Sequence, residues 1–254
     1  MQSIDLNCDL GEGTGPAAEA SDAQLFPLIS SANIACGYHA GDVQSMRRSV
    51  SLALQHGVAI GAHPGTLDRE GFGRRPMELS PEEVEKALIQ QINTLDSLAR
   101  EIGGEIRHIK PHGWLYNEAS QNAALAKVMA KTIKSLNPRW ILFGAAGSQL
   151  IAAARDAQLP YAEEAFADRS YESDGSLSPR SKPGSLLVDP DQAVQQCLSI
   201  ILNGKVRTTE GSDQALHADT ICIHGDNPSA LPILKRIREI FSEHGIQIHP
   251  PKGV

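Results

Sequence analysis

The stretch IRHIKPHGWLYN (Ile106–Asn117) joins a short strand-like run to side chains that can do chemistry. Ile106–Ile109 is a predicted buried strand, because it is short, contains β-branched residues and is followed by proline and glycine. Lys110, His112 and Asn117 come soon after it. Polar groups at the carboxyl end of a strand are typical of the binding edge of a parallel sheet or barrel.

The same pattern recurs along the chain. Four further predicted strands run into polar residues: Ser3–Asn7 into Asp9, Ala32–Cys36 into His39, Val58–Ala62 into His63 and Asp68, and Thr220–Ile223 into His224 and Asp226. Another strand is predicted at Trp140–Phe143. Amphipathic helices are predicted between the strands, at Val43–Gln55, from Ser80 to Gly103, at Gln121–Leu136, from Asp189 to Gly204 and from Asn227 to Gly245. Alternating strands and helices predict an α/β fold, and 254 residues suit one (β/α) barrel domain over residues 1–254.

The candidate catalytic residues are the polar groups that a barrel would bring to one mouth. The carboxyl ends of barrel strands meet there, so we expect His39, His63 and His112 to share a pocket with Asp9. This set suits general acid–base chemistry near neutral pH, and it equally suits a divalent cation that activates water. The chain has no HExxH motif or closely spaced ligand pair that would choose between them. Taken singly, a histidine after a strand is more often a hydrogen-bonded loop residue, and His108, inside a strand, is expected to be structural.

Candidate anion-binding residues come from two loops. Phe166–Leu187 is polar and rich in Gly, Ser, Pro and Arg, which predicts a long loop excursion; it begins with Asp168 and Arg169, for which we favour a functional role. Arg74 and its arginine neighbour follow the His63 loop, where they suit a phosphate or carboxylate clamp as well as an ordinary solvated surface. The chain lacks a P-loop and a dinucleotide-binding fingerprint, and the glycine-rich turn after Trp140–Phe143 is only a weak anion-binding signal.

The composition excludes several classes of protein. Hydrophobic residues make up 41% of the chain and charged residues 21%, as in ordinary globular domains; aromatics are only 4%, which leaves Ala, Leu, Ile and Val to fill the core. The net charge of −7 argues against a nucleic-acid binder. No signal peptide or membrane span is evident, and the four cysteines form no CxxC pair. We therefore expect a cytoplasmic protein with reduced, buried thiols, bound to neither nucleic acid nor membrane.

Seven sequence blocks together resemble the LamB/YcsF family. They are IDLNCDLGEG (Ile4–Gly13), SANIACGYHAGD (Ser31–Asp42), GVAIGAHPG (Gly57–Gly65), GFGRR (Gly71–Arg75), HIKPHGWLYN (His108–Asn117), FADRSY (Phe166–Tyr171) and ICIHGD (Ile221–Asp226). They span the chain from its first to its last quarter, in the order of the family. The sequence departs from the family pattern at Val43, at Thr66-Leu67 and at Trp114, changes that could reshape the pocket wall without removing a candidate catalytic group.

The resemblance implies a seven-stranded (β/α) barrel similar to that of glycoside hydrolases and polysaccharide deacetylases. It also implies one component of a bacterial 5-oxoprolinase, which uses ATP as cosubstrate to cleave 5-oxo-L-proline to L-glutamate and requires the partner subunits B and C. Magnesium would accompany the ATP, and a metal bound to the protein is left open. A homo-oligomer is compatible with the sequence, although no motif indicates one.

The residues that match the family blocks are given roles on this basis. Central catalytic positions are expected for Asp9, His39, His63 and His112. Binding of substrate or phosphate is expected for Lys110, Asn117, Arg74, Asp168 and Arg169. Orientation of the site or ligation of a cation is expected for His224 and Asp226. Two alternatives remain open: a metal-dependent deacetylase or amidohydrolase, and a non-catalytic substrate-binding subunit of the complex.

Overall fold

In the computed structural model, which describes residues 2–253, the chain forms a closed barrel of parallel strands ringed by helices. The strands, in chain order, are β1 (Ser3–Leu10), β2 (Ser31–Ala35), β3 (Ala59–His63), β4 (Ile106–Ile109), β5 (Ile141–Ala145), β6 (Tyr161–Phe166), β7 (Lys205–Arg207), β8 (Asp213–Ala215), β9 (Thr220–His224) and β10 (Gln247–Ile248). Strands β1 to β6 pair in sequence, and β9 closes the barrel by pairing with both β6 and β1. The predicted seven-stranded parallel barrel is therefore confirmed. Strand β10 extends the edge of β1, and β7 and β8 form a separate antiparallel pair.

Helices surround the barrel. They are α1 (Pro16–Leu25), α2 (Val43–His56), α3 (Pro81–Glu101), α4 (Gly113–Gln121), α5 (Ala123–Leu136), α6 (Gln149–Asp156), α7 (Pro190–Asn203) and α8 (Ala230–Glu243), and a short 3₁₀ turn follows α1 at Phe26–Leu28. Capping residues begin or end several of these helices where the sequence predicts. Ser80 and Glu83 form a capping box at the start of α3, and Gly204 ends α7 in the left-handed conformation. None of the helices described within residues 2–253 is both long and apolar enough to cross a membrane.

The two faces of the barrel strands have opposite character. On β1, the alternate residues Leu6, Cys8 and Leu10 pack in the apolar layer between strands and helices. Between them, Asp5, Asn7 and Asp9 face the barrel interior. Aliphatic side chains thus fill the outer layer as expected, whereas the inside of the barrel is largely a polar hydrogen-bonded network.

This interior network crosses the barrel. Asn7 donates to Glu164 on β6 (2.8 Å), and Asn33 on β2 donates to Asp9 (2.8 Å). His108 on β4 donates its Nε2–H to Asn33 Oδ1 (2.8 Å) and stacks on Phe143. Because Asn7, Asn33 and His108 are each held by defined partners, the network fixes these side chains beneath the mouth of the barrel. His108 is structural, as predicted.

Three predicted features differ from the structure. Strand β6 was missed, because its sequence YAEEAF places charged residues in a buried strand. The helix predicted at Gln121–Leu136 is α5, which begins at Ala123 because Asn122 caps it, and the preceding helix α4 was not predicted. The last helix begins at Ala230 rather than near Asn227, whose side chain instead donates to Asp168.

The excursion over residues 166–187 contains little regular structure. Antiparallel bridges join Arg169 to Leu186 and Tyr171 to Leu177, and Tyr171 also bridges to Thr208 beyond α7. The buried side chain of Arg169 donates to the carbonyl oxygens of Ser178 and Ser185, which ties the segment together. The cysteines are free and buried, as expected for reduced thiols.

Candidate active site

Three histidines meet at the mouth of the barrel. His63 ends β3, His112 precedes α4, and His39 lies in the loop between β2 and α2. The rings of His39 and His112 are stacked, with centroids 3.7 Å apart, and His63 stands edge-on, 4.8 Å from His112. A Cβ atom on Gly65 would overlap the His39 ring, so glycine is required for this approach. All three rings are almost completely buried.

Backbone carbonyl groups orient two of these rings. The Nδ1 atom of His63 lies 2.7 Å from the carbonyl oxygen of Lys110. The Nε2 atom of His112 lies 2.8 Å from the carbonyl oxygen of Phe72. The remaining ring nitrogens, His63 Nε2 and His112 Nδ1, face each other at 2.9 Å.

Burial keeps two of the histidines uncharged. Desolvation, reinforced by neighbouring His63, lowers the pKa of His39 to about 2. Desolvation and the proximity of His39 and His63 lower the pKa of His112 well below its ordinary value. His39 and His112 are therefore neutral near pH 7, and each keeps a lone pair that can bind a cation.

Two carboxylates approach the histidines from the end of β1. Asp9 Oδ2 lies 3.4 Å from His63 Nε2, while its Oδ1 accepts from Lys110 at 2.9 Å. Burial opposes ionisation of Asp9, but its interactions with His63 and Lys110 prevail and hold its pKa well below the usual range. Glu12 Oε1 lies 3.2 Å from His39 Nε2 and 3.3 Å from His112 Nδ1. Burial and the nearby Asp9 raise the pKa of Glu12.

Sequence reasoning gave Glu12 no role. Its only signal was its place in the turn after β1, three residues beyond Asp9, which put it near the predicted mouth. Which way a loop carboxylate points depends on tertiary packing. The proximity of Glu12 to all three histidine rings emerges only from the structure.

Lys110 lies inside the barrel rather than free in the pocket. Its ammonium group contacts Asp9 (2.9 Å), Glu164 (3.0 Å) and the Sγ atom of Cys222 (3.0 Å). Burial alone would lower the pKa of Lys110, but these partners raise it well above its ordinary value. The positive charge of Lys110 is thus committed first to carboxylates of the protein, although the residue lines the cavity.

Glu164 and Tyr116 present unsatisfied polar atoms beside Lys110. Neither Glu164 Oε2 nor the hydroxyl of Tyr116 has a well-aligned hydrogen bond within residues 2–253, although the two side chains are neighbours. Burial and the charge of Glu164 raise the pKa of Tyr116, so its hydroxyl stays protonated. Both residues line the cavity, and a ligand there would find an acceptor and a donor that are only poorly aligned with each other.

His224 is held by a buried acid. Asp168 Oδ1 lies 2.9 Å from His224 Nδ1, and Asp168 Oδ2 accepts from the side chain of Asn227 at 3.0 Å. Burial opposes ionisation of Asp168, but these contacts lower its pKa. Asp168 therefore fixes the ring of His224, which stacks on Phe166 at the cavity wall.

A cationic rim forms the outer part of the cavity. Asp226 lies between two arginines, 2.7 Å from Arg74 and 3.3 Å from Arg180. Asp226 is therefore engaged by arginines and does not belong to the histidine cluster. Arg75 points away from the cavity towards Asp68 and Glu70.

Two of the predicted binding residues, Arg169 and Asn117, line the cavity without joining the histidine cluster or the arginine rim. Arg169 lines the cavity, but carbonyl groups of the excursion occupy its guanidinium group, and burial together with Arg180 lowers its pKa to about 10. Asn117 is exposed on α4 at the cavity wall. The turn after β5 also borders the cavity, yet Glu163 accepts the backbone N–H of Gly147, which removes a donor from any anion there.

One cavity of about 800 Å³ reaches from Asp9, His63 and Lys110 to the excursion. Glu12, His39, Asp168 and Asp226 lie behind its lining and contact residues that form it. The residues at which this sequence departs from the family pattern do not line this cavity. Val43 and Leu67 are exposed, Thr66 is buried outside the cavity lining, and Trp114 borders a separate groove with Leu125. The pocket wall is therefore not reshaped by them directly.

A closed parallel barrel with polar groups gathered at the carboxyl ends of its strands defines a (β/α)-barrel protein with a polar site at its mouth. The model of the LamB/YcsF family matches residues 4–254. The chain belongs to the LamB/YcsF family, as the sequence blocks predicted.

Individual relatives resemble the chain along almost its whole length. It is 48% identical over 252 residues to a protein of Geobacillus kaustophilus (strain HTA426) named as the A component of 5-oxoprolinase, and the match covers 99% of this chain and 98% of that protein. It is 47% identical over 248 residues to the protein of the same name from Brevibacillus brevis (strain 47 / JCM 6285 / NBRC 100599), with 98% of each covered. The crystal structure of a lactam utilization protein from Thermus thermophilus superposes with a TM-score of 0.89 at 40% identity, covering 98% of this chain and 99% of that one.

Proposed function

We propose that this chain is the component of an ATP-dependent 5-oxoprolinase at which the lactam ring is opened by water. The observation that carries the proposal is the cavity, which places His63, the neutral His112 and the ionised Asp9 opposite a rim of arginines. Relatives named as the A component of 5-oxoprolinase match the chain along nearly all of its length, which supports the choice of substrate.

The reaction is chemically suited to such a cavity. A five-membered lactam is a stable amide, and transfer of a phosphoryl group from ATP to its carbonyl oxygen makes the ring carbon electrophilic. Water then bonds to that carbon and gives its proton to a base of the site. The carbon–nitrogen bond breaks, and the nitrogen takes a proton to become the amine of the product. The acyl phosphate left behind is hydrolysed by a second water, which releases phosphate and the γ-carboxylate of glutamate.

The side chains divide this work between the two ends of the cavity. His63 and His112, with Asp9, lie where the attacking water would lose its proton. Arg74 and Arg180 at the rim would bind the phosphoryl group. The ring N–H of the lactam would fit Oε2 of Glu164, since that buried oxygen has no well-aligned donor within the described chain.

The ATP-coupled reaction would require the partner subunits B and C, with Mg²⁺ accompanying the nucleotide. Two alternatives predict different behaviour. A metal-dependent deacetylase or amidohydrolase would act without ATP, and a substrate-binding subunit would tolerate loss of the histidines.

The test is the formation of glutamate and ADP from 5-oxoproline and ATP, by the chain alone and with both partner subunits. We expect ATP-dependent glutamate only in the mixture. His112→Ala should lower the rate of the assembled enzyme by roughly 100-fold or more, whereas the control His217→Ala, at an exposed histidine, should not. Full activity of His112→Ala would refute the catalytic role. Absence of glutamate with folded and bound partners would remove the substrate assignment.

A further inference from the structure

We infer that Glu12, His39, His63 and His112 form a binding site for one divalent transition-metal cation, and that Zn²⁺ is the ion whose chemistry fits it best. One ligand atom from each residue lies within 4.8 Å of the others. Neither the sequence blocks nor the names of the relatives assign a metal to these four side chains. The inference does not depend on the proposed reaction, because it concerns binding alone.

The first argument is a count of protons. His63 and His112 take part in a row of three close polar contacts: the Lys110 carbonyl to His63 (2.7 Å), His63 to His112 (2.9 Å), and His112 to the Phe72 carbonyl (2.8 Å). Each contact needs one positive hydrogen or cation between its two electronegative atoms. Two neutral imidazoles carry only two N–H groups. If these donate to the carbonyl oxygens, two bare lone pairs face each other at 2.9 Å, and a positive charge is missing between them.

The second argument is the orientation of the two rings. A histidine that binds a metal through one nitrogen commonly donates its other N–H to a carboxylate or a backbone carbonyl, which fixes the tautomer and the direction of the lone pair. His63 and His112 both have this arrangement. The carbonyl oxygens thus prepare His63 Nε2 and His112 Nδ1 as ligands.

The third argument is that further donors meet at the same point. Glu12 Oε1 lies 3.8 Å from His63 Nε2 and 3.3 Å from His112 Nδ1, and His39 Nε2 is 3.2 Å from Glu12 Oε1. A tetrahedral zinc ion with bonds of about 2.0 Å separates its ligand atoms by about 3.3 Å. The observed separations lie on both sides of that value. Imidazole and carboxylate ligands in a buried site suit Zn²⁺ better than Mg²⁺, which prefers oxygen ligands alone.

The stacking of His39 on His112 requires one adjustment. Parallel rings cannot both hold a cation in their planes, so the His39 ring must tilt on binding. Its Nδ1 atom has no hydrogen-bond partner among the described residues, so tilting breaks no bond there. A cation at this position would polarise a bound water, leaving Asp9 beside it to accept the proton.

A single proton shared by His63 and His112 is the competing explanation of the short contact, and metal binding separates the two. The chain, freed of metal by a chelator, is titrated with Zn²⁺ by calorimetry and with Co²⁺ by visible absorption. We expect one ion per chain, with a Kd below about 1 μM, and a tetrahedral cobalt spectrum. Glu12→Gln, which keeps the size of a largely buried side chain, should weaken binding by more than roughly tenfold.

Controls address the other places where a metal could bind. His217→Ala removes a ligand from a cluster with Glu163 and Asp219 and should leave the affinity unchanged. Binding at Asp9, Cys222 and His224 would give an intense thiolate-to-cobalt charge-transfer band, which we do not expect. The inference is overturned if the folded chain binds no metal, if Glu12→Gln binds as tightly as the parent, if His217→Ala abolishes binding, or if the thiolate band appears. Circular dichroism of each variant verifies that it is folded.

Discussion

The buried histidine beneath the site, His108, should make the protein sensitive to mild acid. It is 1% exposed, stacks on Phe143 at 4.2 Å and donates its Nε2–H to Asn33. Asn33 uses its own amide hydrogens for Asn7 and Asp9, so its oxygen can only accept. A second proton on His108 would be buried, and desolvation together with the charge of Lys110 lowers its pKa from 6.5 to about 3.

The sign and size of the effect follow from the two pKa values. Because the folded state holds the proton less tightly than the unfolded chain, the contribution to stability is full above pH 6.5 and is lost as the pH falls towards 3. At a pH of about 5, the unfolded state gains about 2 kcal/mol from protonation that the folded state cannot match. Complete loss, at a pH of about 3, amounts to about 5 kcal/mol.

The assay is urea unfolding at a pH of about 7.5 and of about 5, followed by circular dichroism and tryptophan fluorescence. His108→Gln keeps a donor for Asn33 but cannot take up a proton. Whatever its absolute stability, its loss between the two pH values should be about 2 kcal/mol smaller than that of the parent. The control His56→Gln, at an exposed histidine in the last turn of α2, should show the full loss. An equal loss for His108→Gln and the parent would refute the assignment of His108 as a buried neutral donor.

Three further substitutions test other parts of the structure. Gly61→Ala places a Cβ atom in the ring of His108 and should lower the free energy of unfolding in urea by about 1–3 kcal/mol; an unchanged midpoint would contradict this packing. Lys110→Met leaves two buried carboxylates, Asp9 and Glu164, without their cation, so the free energy of unfolding should fall by about 3–5 kcal/mol in the same assay. A smaller decrease than that of Gly61→Ala would show that solvent screens these two ion pairs. Ser80→Ala removes the capping box with Glu83 and should lower the free energy of unfolding by about 1 kcal/mol; under the proposed function, the activity of the assembled enzyme should not change. A loss of activity there would connect α3 to the site.

The sequence predicts the barrel because its signals are local. Apolar runs such as Ile106–Ile109 and helix caps such as Ser80 act within a few residues, and the structure confirms both. Strand β6 breaks this rule. Its Glu164 is buried only because Lys110, from the end of β4, neutralises it inside the barrel. A charge pair between distant strands leaves no periodic signal in either strand.

The candidate site divides in the same way. Strand ends place His63 and Asp9 at the mouth, so a barrel alone predicts that they meet. The residue that each of these side chains contacts cannot be predicted from the spacing of residues in the sequence. Arg74 and Arg75 are neighbours in sequence, yet only Arg74 reaches the cavity, because the turn that carries them directs the two side chains apart.

The pairing of Asp226 with both rim arginines sets a condition on any anion that binds there. A ligand must displace the Asp226 carboxylate from Arg74 and Arg180, and a monoanion only exchanges one carboxylate for another. A phosphoryl group brings about two negative charges and three acceptor oxygens, so it competes better. Under the proposed function, the rim thus favours the activated, phosphorylated lactam over the free acid. Asp226→Asn should reduce the preference for a phosphoryl group over a carboxylate, because the neutral Asn amide competes with neither anion for the two arginines. Inhibition constants of phosphate and acetate for the assembled enzyme provide the measurement. An unchanged ratio of the two inhibition constants would show that Asp226 does not determine which anion binds to the rim arginines.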